Sequence, residues 1–317
     1  MDRDARVFVA GHRGLVGSAI MRRLARDGFT DVVTATRDEL DLRNQLEVSR
    51  WFEANRPDHV FLVAGTVGGI MANSTRPAEF IYDNMMIHGT VVHAAHQSEV
   101  SKLLYLGSSC IYPRHARQPI SEAELLDGPL EPTNEAYAIA KIAGIKLCEA
   151  YREQYGSDFI SAMPTNLYGP NDNFDLASSH VLPALMRKFH DAKVEGHREV
   201  GVWGTGSAMR EFLHVDDLAD ACLFLMDTYS EAGHVNVGTG EDLPIRRLAE
   251  RIRDIVHPDA ELVFDSTKPD GMPRKVLDVS KLHDLGWKAT IGLDDGIAST
   301  YDWFLDQVAT STALRGA

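Results

Sequence analysis

The sequence predicts an α/β fold: a doubly wound parallel sheet with a smaller α/β domain on its C-terminal side. Three observations carry this. The first half alternates short apolar runs with stretches of helical periodicity, a glycine-rich turn links the first run to the first helix, and the rhythm breaks after Pro164. Apolar runs divided by helices in this way are the pattern of a parallel sheet covered on both faces. The length, 317 residues, suits about two domains at roughly 150 residues each.

Residues 6–10 (RVFVA) read as the first strand, followed by the glycine turn and a helix to residue 27. Residues 31–35 (DVVTA) give a second strand, 44–55 a helix, and 58–63 (DHVFLV) a third strand. A long helix covers 77–98, and 102–107 (KLLYLG) is the fourth strand. Residues 134–155 are helical again, and 158–163 (DFISAM) form a fifth strand. Asn, Pro, Asp and Ser crowd residues 166–179, which read as a loop and divide the chain into 1–165 and 166–317. An amphipathic helix at 214–226 and a short strand at 234–237 are placed to rejoin the first sheet, through a segment near 205–240.

Composition narrows the function classes. The chain is 44% hydrophobic and 25% charged, ordinary for a globular protein, with a net charge of −14. Such an acidic chain disfavours nucleic acid and anionic membranes as partners. Any phosphorylated substrate has to be held by local Arg and Lys. Three scattered cysteines, Cys110, Cys148 and Cys222, form no CxxC pair, so neither a disulfide framework nor a metal site is expected. The N-terminus carries no visible signal peptide, and no apolar run approaches the roughly 18 residues of a membrane span. A cytoplasmic protein is expected.

Gly11-His12-Arg13-Gly14-Leu15-Val16-Gly17 follows the first strand and opens the first helix. Glycines at this spacing permit a tight turn and close approach of backbone to a pyrophosphate, which the free N–H groups of the helix then meet. On the first strand of a βαβ unit, the turn predicts a Rossmann dinucleotide site. The second strand ends at Thr36-Arg37 with no acid directly at its tip, and Arg13 adds a second cation. Two arginines suit a 2′-phosphate and favour NADP over NAD. Asp38 and Asp41 lie nearby, and Arg37 also admits a reading as a solvated surface charge.

Tyr137 and Lys141 stand four apart in a helical stretch, hence on one face. A nearby ammonium favours the phenolate, so this pair is expected to ease proton transfer by Tyr137. Ser108, just after the fourth strand, is placed to hold a substrate carbonyl. Cys110 follows the same strand end, where open α/β sheets bind ligands. Cys148 and Cys222 fall in apolar helical patterns and read as small buried hydrophobes. His180 opens a helix after the polar loop, but with thirteen histidines in the chain a lone one is weak evidence.

Ser, Tyr and Lys after a glycine loop are the pattern of the short-chain dehydrogenase/reductase family, and the length resembles its extended branch. Longer segments sharpen the likeness: VGGIMAN at 67–73, GSSCIYP at 107–113, EPTNEAYAIAKIAGIKLCE at 131–149, MPTNLYGPNDNF at 163–174, MREFLHVDDLA at 209–219 and KPDGMPRK at 268–275. They resemble the GDP-keto-sugar epimerase/reductases of that branch, over nearly the whole chain from Gly11 to about Phe304. Ala64-Gly65 and Ala136 depart from the family's usual residues without touching a reactive group.

The resemblance implies NADPH-dependent reduction of GDP-4-keto-6-deoxy-D-mannose, with inversion at C3 and C5, to GDP-L-fucose. It implies Cys110 as base and His180 as acid, with Ser108, Tyr137 and Lys141 serving the carbonyl. It implies cofactor contacts at Gly11, His12, Arg13, Gly14, Leu15, Val16, Gly17, Arg37, Asp41, Leu42, Leu106, Gly107, Lys141, Pro164, Thr165, Asn166, Leu167 and His180. The nucleotide sugar is implied at Lys188, Trp203, Arg210, Asp270 and Lys275, and residues 166–317 then mainly hold substrate. Trp203 without the resemblance reads as core. The alternatives are a related GDP-sugar epimerase/reductase of the colitose type, which inverts fewer centres, and a catalytically dead NADP-sensing regulator, which the intact Ser, Tyr and Lys disfavour.

The two long helices carry surplus apolar residues: Phe80, Ile81, Met85, Met86, Val91 and Val92 in one, Ile139, Ile142, Ile145 and Leu147 in the other. One face covers the sheet; the rest predicts a homodimer through a four-helix bundle, with Ile142 near its midpoint.

Overall fold

The computed structural model describes residues 1–268 and 270–310, leaving aside the side chain of Ile70. The chain begins β1 (Val7–Ala10), α1 (Leu15–Arg26), β2 (Val32–Val33), α2 (Gln45–Asn55), β3 (His59–Leu62), α3 (Ile70–Thr75), α4 (Pro77–Gln97), β4 (Lys102–Leu106), α5 (Glu135–Tyr155) and β5 (Phe159–Pro164). It continues through β6 (Asn166–Tyr168), α6 (Val181–Glu195), β7 (Glu199–Trp203), β8 (Met209–His214), α7 (Val215–Thr228) and β9 (His234–Val237). The last elements are β10 (Asp242–Pro244), α8 (Ile245–Val256), β11 (Glu261–Asp265), β12 (Arg274–Lys275), α9 (Ser280–Asp284) and α10 (Leu293–Ala309).

Six parallel strands form the main sheet in the order β2-β1-β3-β4-β5-β9. Successive residues of a strand face opposite sides. Phe8, Val60, Leu62, Leu103 and Tyr105 therefore pack under α2, α4 and α5. Val7, Val9, Phe61, Leu104 and Leu106 pack under α1 and α7 on the other face. β9 returns to the sheet beside β5, as its apolar tetrapeptide predicted. The strand order reverses between β1 and β3, which leaves a crevice at their C-terminal ends.

A third apolar cluster gathers Tyr168, Phe174, Val202, Leu248 and Phe304 from the later elements. There β8 pairs β10, β12 and β6, while β7 pairs β11. Two sequence readings change here. Residues 166–168 are not loop: they run as β6, parallel to β8, a pairing with a distant partner that local composition does not reveal. β2 is only two residues long, because only Val32 and Val33 find partners on β1.

A further correction concerns the long helices. Ile142 and Ile145 are buried beneath α5 in the sheet-facing core, so Ile142 is not the midpoint of a free face. Exposed instead are Tyr82 and Met85 on α4 and Ile139 on α5. Among the described residues no helix is long and apolar enough to cross a membrane.

Candidate active site

The crevice between β1 and β3 is shaped by glycines. Gly11 has φ +98°, and a Cβ on it would lie 2.8 Å from the backbone nitrogen of Ala64 just past β3. A Cβ on Gly17 would strike the Gly11 carbonyl. The Gly14 N–H donates to the Gly11 carbonyl at 3.0 Å, closing the turn. Gly14 caps α1 without any side-chain bond, so no capping side chain occupies the first-turn N–H groups. His12, Leu15 and Val16 complete the turn. This cradle fits a dinucleotide pyrophosphate.

Beside it Glu39 and Asp41 are engaged, while Asp38 and two arginines make no hydrogen bond or ion pair among the described residues. Glu39 accepts from the Thr36 N–H at 2.7 Å and its hydroxyl at 2.8 Å, which hold its carboxyl below the ordinary range. Arg43 grips Asp41 at 3.0 and 2.7 Å, lowering its pKa to about 2, and reaches Asp83 at 2.9 Å. Asp83 in turn accepts from Thr66 at 3.0 Å. Leu42 packs against the core next door. Arg13 and Arg37 are exposed and form no ion pair among the described residues.

The far side of the crevice is the end of β4. Ser108 leaves it in extended backbone, and its Oγ accepts from the Cys110 N–H at 3.3 Å. The Ser108 hydroxyl also lies on the side of the Tyr137 phenol, whose pKa it lowers. Gly144 lets α5 close on β4, since a Cβ there would overlap the Tyr105 ring. The approach brings buried Lys141 within 2.8 Å of the Leu106 carbonyl, to which its Nζ donates. Burial lowers the Lys141 pKa to about 7. Burial also raises Tyr137, with the Ser108 hydroxyl only partly opposing. Tyr137 is thus held as a proton-bearing phenol, against the expectation that Lys141 favours its phenolate: desolvation outweighs an ammonium lying 5.8 Å from the ring centre. Gly107 is buried beside these groups, as are Pro164 at the end of β5 and Thr165 just after it, while Asn166 and Leu167 begin β6.

Cys110 is half-buried against Ala72, Phe80 and Tyr137. The Lys275 ammonium lies 3.6 Å from its Sγ. Cys148 and Cys222 are fully enclosed, and burial pushes both thiols up to about 12, in keeping with their reading as hydrophobes. His180 caps α6, open to solvent but walled by protein; that surrounding mass, and then the Lys275 charge, lower its basicity. The preceding turn is fixed by the Gly69 N–H, which donates to the Ser178 carbonyl at 3.0 Å. Cys110 and His180 are therefore both within electrostatic reach of one lysine.

Trp203 is 52% exposed, so it is not a core residue. Lys188 and Lys268 each lie 5.5 Å from its ring centre, and Lys188 also donates to the Gly201 carbonyl at 3.0 Å. At Asp270, Thr205 takes one carboxylate oxygen through its N–H and the other through its hydroxyl, each at 2.8 Å. Its carboxylate closes the turn after Trp203 because Gly204, at φ +79°, brings the two segments together. Arg210 donates to the carbonyls of Met209 at 2.7 Å and Asp270 at 3.3 Å. On the neighbouring strand Lys275 is its register partner.

Two residues escaped the sequence reading. Glu211 is fully buried and accepts from the N–H groups of Thr239 at 2.6 Å, Gly240 at 2.9 Å and Leu277 at 2.8 Å. It ties β8 to β9's exit and to the segment bearing Lys275; its only signal was a charge inside an apolar run. Asn84 is buried on α4 and pairs with Thr66 through both its amide oxygen, at 3.2 Å, and its nitrogen, at 2.9 Å. It fixes the loop after β3. Among the described residues no His, Cys, Asp and Glu cluster suits a metal ion.

This fold and site define a nicotinamide-dependent short-chain dehydrogenase/reductase of the extended type. The chain belongs to the NAD dependent epimerase/dehydratase family, whose pattern matches residues 7–238. It is similar to GDP-L-fucose synthase 1 of Arabidopsis thaliana, 60% identical over 307 residues, spanning 97% of this chain and 95% of that one. GDP-L-fucose synthase of Escherichia coli (strain K12) is 57% identical over 310 residues, spanning 95% and 97%. Among solved structures, a GDP-L-fucose synthetase from Naegleria fowleri bound to NADP shares the fold with a TM-score of 0.91 at 30% identity, covering 98% of this chain and 95% of that one.

Proposed function

We propose that the enzyme epimerises GDP-4-keto-6-deoxy-D-mannose at C3 and C5 and reduces C4 to give GDP-L-fucose, with NADPH. The observation that carries this is the thiol and imidazole, Cys110 and His180, gathered about Lys275 beside a Ser–Tyr–Lys set. A simple ketoreductase has no use for that pair. The full-length likeness to GDP-L-fucose synthases supports the substrate.

The C4 ketone acidifies the C–H bonds on both neighbouring carbons. Cys110 removes the proton from one face, the electron pair moves to the carbonyl oxygen, and His180 returns a proton from the other face as the carbonyl re-forms; exchange with solvent then takes the proton from Cys110 and restores one to His180 before the second inversion. Ser108 and Tyr137 donate to the enolate oxygen at each inversion, as an oxyanion site does. Tyr137, kept protonated by burial, then protonates O4. Lys141 holds the β4 end and meets the ribose. A bound nicotinamide supplies the hydride for the reduction. The cofactor is read as held by the Gly11–Gly17 turn, residues 36–42, 106–107, 164–167, Lys141 and His180. Lys188, Trp203, Arg210 and the Asp270 turn are read as the nucleotide-sugar side, within residues 166–317. Proton NMR of product formed in D2O with NADPH tests this reading: deuterium at C3 and C5 of GDP-L-fucose is expected, and product lacking it at either carbon overturns the double inversion.

NADP is favoured because Glu39 and Asp41 are engaged while Arg13 and Arg37 stay unpaired. Arg37→Ala is expected to raise KM for NADPH by roughly ten- to hundredfold, from about 1.5–3 kcal/mol of a charged hydrogen bond, and to leave NADH nearly unchanged. Equal effects on both cofactors in steady-state kinetics argue against the assignment.

The exposed strip of Tyr82, Met85 and Ile139 on α4 and α5 supports a two-fold homodimer in which both helices meet their copies. Light scattering is expected to give a dimer, and Met85→Glu or Ile139→Glu a monomer. A well-folded monomer of the unmodified chain at micromolar concentration refutes this. The three cysteines are unpaired, which supports a reducing, cytoplasmic setting.

A further inference from the structure

We propose that Lys275 is a positioning residue for the base: its ammonium is placed to pair with the Cys110 thiolate that abstracts the sugar proton. The inference rests on the base role read for Cys110 above, and it goes beyond that reading by taking Lys275 from the nucleotide sugar and giving it to the thiol.

The geometry is specific. Lys275 is only 8% exposed, and among the described residues the one hydrogen bond its Nζ makes is to Cys110 Sγ, at 3.6 Å. Among the described residues it has no carboxylate in ion-pair range. A buried ammonium without an anion is costly, and a thiolate at this distance supplies the missing charge. Other groups also face Cys110. Ser108 on the β4 exit accepts its N–H, Tyr137 packs against it from α5, and the Arg210 charge on β8 also acts on it. Arg210 differs from Lys275 in bonding two carbonyls and sitting beside the Asp270 charge. His180 shares the Lys275 field from α6, and a cation there keeps the imidazole from competing as a base.

The lysine is also fixed in place. β12 pairs β8 in parallel with Lys275 opposite Arg210. Two residues on, the Leu277 N–H is held by the buried Glu211 carboxylate at 2.8 Å. The charge balance of the step follows. The C–H proton passes to Sγ, the electron pair goes to the carbonyl oxygen as enolate, and the negative charge leaves the Lys275 side only when the bond breaks.

The test is the alkylation rate of Cys110 by iodoacetamide at neutral pH, on full-length, substrate-free protein, with the labelled cysteine mapped by mass spectrometry. The thiolate is the reacting form. Lys275→Met is expected to slow labelling about tenfold or more, and Lys275→Arg to restore most of it. Labelling of Lys275→Met at the wild-type rate overturns the proposal, as does a slow Lys275→Arg variant of unchanged melting temperature. Unfolding would expose Cys148 and Cys222 and speed labelling, the opposite of the expected result; if Lys275→Met does not fold, Lys275→Gln is read in its place by the same criterion. Alkylation uses no sugar, so a wild-type enzyme inert toward GDP-keto sugars sinks the proposed function and leaves this result to stand or fall alone.

Discussion

Cys110→Ser is expected to stop deuterium uptake from solvent at both C3 and C5 of the sugar. Serine keeps the shape of the side chain and its place against Ala72, Phe80 and Tyr137. A hydroxyl is far harder to ionise than a thiol, so the base is lost while the surroundings remain. Loss of a positioned base lowers the rate by about 10²–10⁴-fold. Reduction at C4 is proposed to use Tyr137, Ser108 and Lys141, none of which the change removes. The variant is therefore expected to accumulate the directly reduced, uninverted GDP-sugar, read by proton NMR in D2O. Uptake at both carbons at the wild-type rate rules out Cys110 as base. Uptake lost at one carbon alone assigns the second centre to another group.

Tyr137→Phe separates the two halves of the reaction from the other side. The phenol is buried beside Cys110 and is the group proposed above to donate to the carbonyl. Removing it takes away the proton for O4, and NADPH oxidation is expected to fall by about 10²–10⁴-fold. Cofactor affinity, followed by NADPH fluorescence, is expected to change little, because Lys141 and the glycine turn are untouched. Deuterium exchange at C3 and C5 is expected to persist at a reduced rate, since Cys110 and His180 remain and only one of two enolate donors is gone. NADPH oxidation within a few-fold of wild type removes Tyr137 from the role of acid.

Much of this was legible in the chain because it depends on local spacing. A turn of three glycines after an apolar run needs only its own backbone to form a phosphate cradle. Tyr137 and Lys141 share a helix face whatever packs around them. The six strands of the main sheet were visible as apolar runs since both faces of a parallel sheet are buried. Other features depend on partners far away in sequence. β6 looked like loop because its pairing residues lie on β8. Ile142 looked like interface because helical periodicity does not say which apolar stripe meets the sheet. Trp203 read as core on residue type, yet it stands in solvent beside two lysines.

The sequence by itself determined the fold class and the cradle, since each rests on residue type at short spacing, and its resemblance to a family pointed to the candidate reactive groups. Only the tertiary structure decided their state. It keeps Tyr137 protonated by burying it, ties Asp41 to Arg43, and turns the Asp270 carboxylate onto Thr205. It also sets Lys275 against Cys110 across a sequence separation of 165 residues. Burial and charge proximity are properties of the packed chain, where desolvation and Coulomb attraction are set by whatever surrounds a group, and spacing along the chain carries neither.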